Sequence, residues 1–82
     1  MNKPRYKIHL EAEPEGGYTV TVPALRGCVT WGRDQSHAVA MAQEAIEGFL
    51  EALVKAGQPI PAPDVPATAP FDVSVEVKTP AV

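Results

Sequence analysis

Few residues in this 82-residue chain could do chemistry, and their spacing limits what each could do. Glu11 and Glu13 share one segment and Asp72 and Glu76 another, so a sheet joining the two segments would carry two pairs of carboxylates. Such acids can hold the divalent ions of phosphodiester hydrolysis, but two-metal chemistry needs several of them converging on ions roughly 4 Å apart. No acid motif enforces that convergence, and alternating acids are ordinarily the solvated face of a strand. His9, Cys28 and His37 fall at unrelated spacings, with no Cys-x-x-Cys or His-x-x-x-His element to build a zinc site. Cys28 has no activating histidine beside it and reads as a small buried hydrophobe. Gly16 and Gly17 open a strand rather than a helix, so they are turn glycines and no cradle for phosphate. No residue is nominated as catalytic, cofactor-binding or metal-ligating, and a non-enzymatic protein is expected.

Four residues are better suited to holding a partner. Trp31 ends a short alternating segment; if Cys28 and Thr30 face the core, Trp31 and Val29 face outward, where a tryptophan acts as an interface anchor. The opposite register would put Trp31 in the core, and period-two alternation alone does not choose between them. Arg26, in the turn before this segment, and Arg33, just after it, could touch the same partner or be ordinary surface arginines.

The formal net charge is -3 and the seven basic residues are scattered, so the electrostatic footprint of a nucleic-acid binder is missing. A mildly acidic surface suits a basic protein partner instead. With one cysteine, a polar start at residues 1–6 and no apolar run near the roughly 20 residues that span a bilayer, a soluble cytoplasmic protein is expected. Eighty-two residues make one domain. Its core is thin, since a chain this size buries only roughly 60–65% of its unfolded surface, and homo-oligomerisation to a dimer or tetramer would supplement it.

The elements that must position these residues are legible in the pattern. Tyr6, Ile8, Leu10 and Ala12 alternate with Lys7, His9 and Glu11, the period of a strand with one wet face. Pro14 to Gly17 turn the chain into a second strand, Tyr18 to Val22, and Pro23 ends it before an irregular turn and a third strand, Cys28 to Trp31. Asp34 stands as a helix N-cap, and Gln35 to Ala56 follow with helical spacing, Ala38, Ala42, Ala45, Ile46, Phe49 and Leu53 forming the apolar stripe. Gly57 stops the helix. Residues 58–70 carry five prolines and read as a stiff extended connection to a last strand in which Phe71, Val73, Val75 and Val77 alternate with polar residues. The expected fold is α+β, β-β-β-α-β, a four-stranded mixed sheet in the order 3-2-1-4 with one long helix on one face. The last strand is expected parallel to the first, reached by a right-handed crossover.

The stretch EGGYTVTVPALRGCVTWGRD, Glu15 to Asp34, followed by QEAIEGFLEAL in the helix and then GQPIPAP, resembles the HicB-like antitoxin family from about Tyr6 to Pro63. The resemblance implies a domain like a truncated ribonuclease-H fold that binds and neutralises a small basic RNA-cleaving toxin of the HicA type. Many such proteins add a C-terminal DNA-binding module that represses their own operon; the similarity here covers the partner-binding part alone. Ala24 stands where the family often has an acid, and Asp34 with His37 where a hydroxyl and a glutamate usually make the helix cap. Two other readings stay open: a self-associating structural or regulatory module with no toxin, and a metal-dependent nuclease built on Glu11, Glu13, Asp72 and Glu76.

Overall fold

The structure, a computed structural model, describes residues 5–61 and 72–77. Its elements follow in the order β1 (Arg5–Ala12), β2 (Tyr18–Thr21), β3 (Val29–Gly32), α1 (Gln35–Lys55) and β4 (Asp72–Glu76). The sheet order is β3-β2-β1-β4, as the topology argument anticipated.

One expectation fails. β4 pairs with β1 antiparallel, Arg5 opposite Glu76 and Ile8 opposite Val73, so the sheet is wholly antiparallel rather than mixed. The handedness rule for parallel crossovers assumes that the chain re-enters the sheet at the end where the helix left it. Here about 14 residues separate Gly57 from Asp72, and at ~3.1 Å per extended residue they reach ~40 Å, enough to carry the chain back along a strand's length before β4 begins. The ribonuclease-H comparison rests on the family resemblance alone.

Even-numbered residues of β1 and β2 face the helix. Tyr6, Ile8, Leu10 and Val20 are buried there, with Val75 and Val77 from the β4 side, and the paired registers put Val20 between Leu10 and Thr30 and Tyr6 opposite Val75. Ala12, expected inside, is exposed at the last position of β1, where the chain enters the turn to β2. Against this layer α1 lays Ala38, Ala42, Ile46 and Leu50, a row at four-residue spacing. Leu50 was not in the predicted stripe, whereas Ala45, Phe49 and Leu53 flank the row, half-buried. Leu25 is also buried, although the sequence placed it in a turn. The segment between β2 and β3 folds back as two consecutive turns, Leu25 N–H to Val22 O at 3.0 Å and Cys28 N–H to Leu25 O at 3.1 Å, which points Leu25 under the helix. Each large buried aliphatic side chain contributes about 1.5–3 kcal/mol.

Helix α1 is held at both ends. Asp34 Oδ1 accepts the His37 N–H at 2.7 Å. Its reciprocal is the side chain of His37, whose Nδ1 accepts the Arg33 N–H at 3.0 Å, so the cap uses both residues rather than Asp34 alone. At the other end Gly57, at φ +73°, donates to Val54 O and Gln58 donates to Leu53 O, the paired bonds of a Schellman stop. Farther out, the Tyr6 hydroxyl, on a fully buried side chain, donates to Pro61 O at 2.6 Å and fastens the exit from the helix to the sheet. Gln43 Nε2 donates to Glu76 O at 3.1 Å, tying α1 to the end of β4.

Close packing at the start of α1 depends on a missing side chain. A Cβ on Gly32 would lie 2.3 Å from Ala38 Cα and 2.3 Å from Ala38 N, backbone atoms with no room to yield. Gly32→Ala should therefore lift the helix off the sheet and cost about 1–3 kcal/mol or more, read as a lower denaturant midpoint. Gly48→Ala, where an added Cβ meets nothing within 4 Å, is the control and should be neutral or stabilising.

Candidate protein-binding site

Among the described residues strand β3 lies at one edge of the sheet and pairs only with β2. Its register, Thr21 opposite Val29 and Val20 opposite Thr30, places Val29 and Trp31 on the face away from the helix. These are the two exposed large hydrophobic residues among the described residues, 60% and 48% accessible. Trp31 thus takes the outward of the two registers the sequence left open. Its indole lies over Gly17, whose φ is +82° and where a Cβ would come 2.3 Å from Trp31 Cζ2. The turn glycine therefore makes the flat seat on which the ring rests.

The same two residues also turn their backbone outward. Val22 N–H donates to Cys28 O at 3.2 Å, and hydrogen-bonded and non-hydrogen-bonded pairs alternate along an antiparallel ladder. Thr30 and Gly32 then bond to β2, leaving the N–H and C=O of Val29 and Trp31 directed off the sheet edge. A docking strand would find both backbone partners and apolar side chains at the same positions.

Arg26 and Arg33 do not sit beside each other. Arg26 is exposed in the turn before β3, and Arg33 follows β3, its Nε 3.8 Å from Asp34 Oδ2 in a solvent-exposed pair. The edge is thus bracketed by Arg26 at one end and by an Arg33–Asp34 pair at the other. Sequence reasoning nominated these four residues without Gly17 and Asp34 as their neighbours, because the first looked like a turn and the second like a cap.

Among the described residues the acids do not converge on one point. Glu76 pairs with Arg5, its Oε1 3.5 Å from Arg5 Nη2, and Arg5 is six residues along β1 from Glu11, ~20 Å at strand rise. Glu13 accepts the Thr19 hydroxyl and closes the β1–β2 turn. The side chain of Asp72 lies outside the described residues. Among the described residues no group of three or more His, Cys, Asp or Glu is placed to hold an ion. An open groove of about 570 Å³ at the end of β1, bordered by His9, Glu11, Tyr18, Gln35 and Val73, mixes apolar and polar walls without a focus of charge. No helix among the described residues is long and apolar enough to cross a membrane.

The description "HicB-like antitoxin of bacterial toxin-antitoxin system" matches residues 6–70, which include all of β1, β2, β3 and α1 except Arg5. The chain belongs to the HicB-like antitoxin family. A UPF0150 protein of Thermoplasma acidophilum is 37% identical over 57 residues, 70% of this chain and 83% of that protein. The antitoxin HicB of Burkholderia pseudomallei has the same fold, with a TM-score of 0.75 at 24% identity over 89% of this chain. This HicB-like chain spans 62% of the length of the Burkholderia antitoxin. A chain of a HicA3 and HicB3 toxin–antitoxin complex matches with a TM-score of 0.69 at 24% identity, over 90% of this chain and 98% of its own length.

Cys28 is the free thiol of this HicB-like domain, buried beside Leu25, and burial pushes its pKa up; burial likewise raises that of Tyr6. Both groups therefore hold their protons to higher pH in the folded chain than in the unfolded one. Their contribution to stability is complete below the ordinary values of 9.0 and 10.0 and is lost as pH climbs through the raised, folded ones. The denaturant midpoint should accordingly fall above about pH 9, and Cys28→Ala should remove the first part of that fall. At neutral pH iodoacetamide should label Cys28 slowly until denaturant is added; rapid native labelling would contradict its buried placement.

Proposed function

We propose that this chain is an antitoxin that binds a small HicA-type toxin and neutralises it by covering its catalytic surface, without catalysing a reaction itself. The observation that carries this reading is the family match over residues 6–70, which takes in the three-stranded meander and its helix. The fold also occurs in a chain of a toxin–antitoxin complex, which supports a toxin as partner.

The geometry suits the role. Among the described residues a helix covers one side of the four-stranded sheet and nothing covers the other, which carries Lys7, Glu11, Thr19, Thr21, Ser74 and Glu76 with Val29 and Trp31 at its β3 end. Such a surface is formed before any partner arrives, so binding needs little ordering of the chain. The net charge of -3 favours encounter with a basic protein and disfavours approach to a phosphate backbone. The nuclease reading has no convergent acids among the described residues to support it.

Co-expression tests the proposal. A small basic protein encoded beside this chain should arrest growth when expressed alone; growth should recover, and the two should co-purify, when this chain is present. Recovery should persist with Glu13→Gln, since no catalysis is involved. Failure of the pair to associate, with the toxin still arresting growth, would sink the antitoxin reading.

A further inference from the structure

Among the described residues, His9 is the one position of β1 that pairs on both sides. Thr21 stands opposite it on β2 and Asp72 on β4, whereas Leu10 to Ala12 pair only with β2 and Arg5 to Ile8 only with β4. Thr21 is in turn opposite Val29, so the row through His9 crosses all four strands. Ile8 and Leu10 on either side of it are buried under the helix, and alternation turns His9 the other way. Its half-buried imidazole therefore marks the middle of the side that α1 leaves open.

The surroundings of this ring are short and carry few charges. Thr21 and Ser74 bring hydroxyls, and the hydroxyl of Thr19 is given to Glu13. The charged positions that face it are Lys7 and Glu11, two residues away in each direction along β1, and Asp72 at the register position on β4. Strand β2 contributes no charge, and α1 lies behind the sheet. Arg5 and Glu76, farther along, are paired with each other.

On the antitoxin reading, on which this rests, we infer that the basic partner docks over His9 and is held only while this imidazole is neutral. The middle of an interface is where water is excluded most completely and where the energetically decisive contacts gather. A neutral imidazole offers the partner one N–H and one lone pair there. The imidazolium offers two donors and a positive charge, and it offers them to a protein that is itself basic. Lys7 adds to that repulsion. Glu11 steadies the cation in the free chain, but under a basic partner the same carboxylate is shared with the partner's own cations. The added proton also takes one unit from the formal charge of -3 that draws such a partner in. Where the free chain carries a proton on His9, docking therefore releases it to solvent, and acid weakens the complex. Histidine is the side chain whose charge ordinarily changes between about pH 5 and 8, so the effect falls in the physiological range. The second histidine is placed otherwise: His37 is tied into the cap of α1, its Nδ1 taking the Arg33 N–H.

The test uses the partner recovered by co-purification, separated and added back to the full chain, with binding followed by titration calorimetry. The Kd should rise at least about fivefold between about pH 7.5 and about pH 5.5. His9→Gln keeps a donor and an acceptor but takes no proton, so its Kd should change with pH only as far as the partner's own groups impose. His9→Lys carries the charge permanently and should bind at least about fivefold more weakly than the unaltered chain already at about pH 7.5. His37→Gln leaves a residue that still closes a capping box and should keep the full pH dependence. Circular dichroism checks that each variant is folded; position 9 lies outside the core, so both of its substitutions spare the buried layer. A Kd indifferent to pH, a pH dependence that His9→Gln leaves intact, or tight binding by His9→Lys would overturn the role of His9 while the antitoxin reading stands. No association at any pH would remove that reading, and the role of His9 with it.

Discussion

The contact between Gly32 and Ala38 is the constraint from which the rest of the molecule follows. Because residue 32 has no side chain, the backbone of the first helical turn can sit directly on the end of β3. The cap at Asp34 and His37 then decides where that turn begins, only two residues after the strand. With the origin of the helix set, a row of residues four apart descends onto the sheet, small ones first, Ala38 and Ala42, then large ones, Ile46 and Leu50. The taper matches a helix in tight contact at its start and wider spacing farther on, and Leu25 and Val77 are buried in the same core. A thin core of this size tolerates little slack, and the fit at one glycine decides whether the remaining layers meet.

Much of this was legible in the residues. Strict alternation in β1 and in Val73, Val75 and Val77, the Asp34 cap and the Gly57 stop are local signals, and local signals survive folding because their cause lies within a few residues. The direction of β4 was not legible, since it depends on where a long proline-rich connection delivers the chain, and no pattern inside the strand records that. Leu25 was hidden for a related reason: a leucine between Pro23 and Gly27 reads as loop until two successive turns aim it inward. Leu50 escaped because period 3.6 drifts, so a stripe drawn through Phe49 and Leu53 is as good on paper as one drawn through Ile46 and Leu50. At the surface, alternation showed that Trp31 and Cys28 face opposite ways but not which way either faced. The helix chose, by covering the side that carries Cys28.

The layer has two different kinds of unsatisfied surface, and they suit different partners. The polar face can stay in water indefinitely, so whatever binds it must bring its own complementarity. The edge at Val29 and Trp31 exposes apolar carbon and backbone groups together, a combination water serves poorly.

The indole of Trp31 resting on Gly17 ties two positions that are fourteen apart in the chain. Residue 17 is bare both because its backbone lies in the left-handed region and because a ring occupies the space a side chain would fill. The second reason disappears wherever position 31 holds a small residue. Drift at these two sites should therefore be correlated: a relative that has given up its tryptophan frees the turn to accept an asparagine, whereas one that keeps the ring is confined to glycine. The surface patch thereby leaves a trace in the hairpin beneath it.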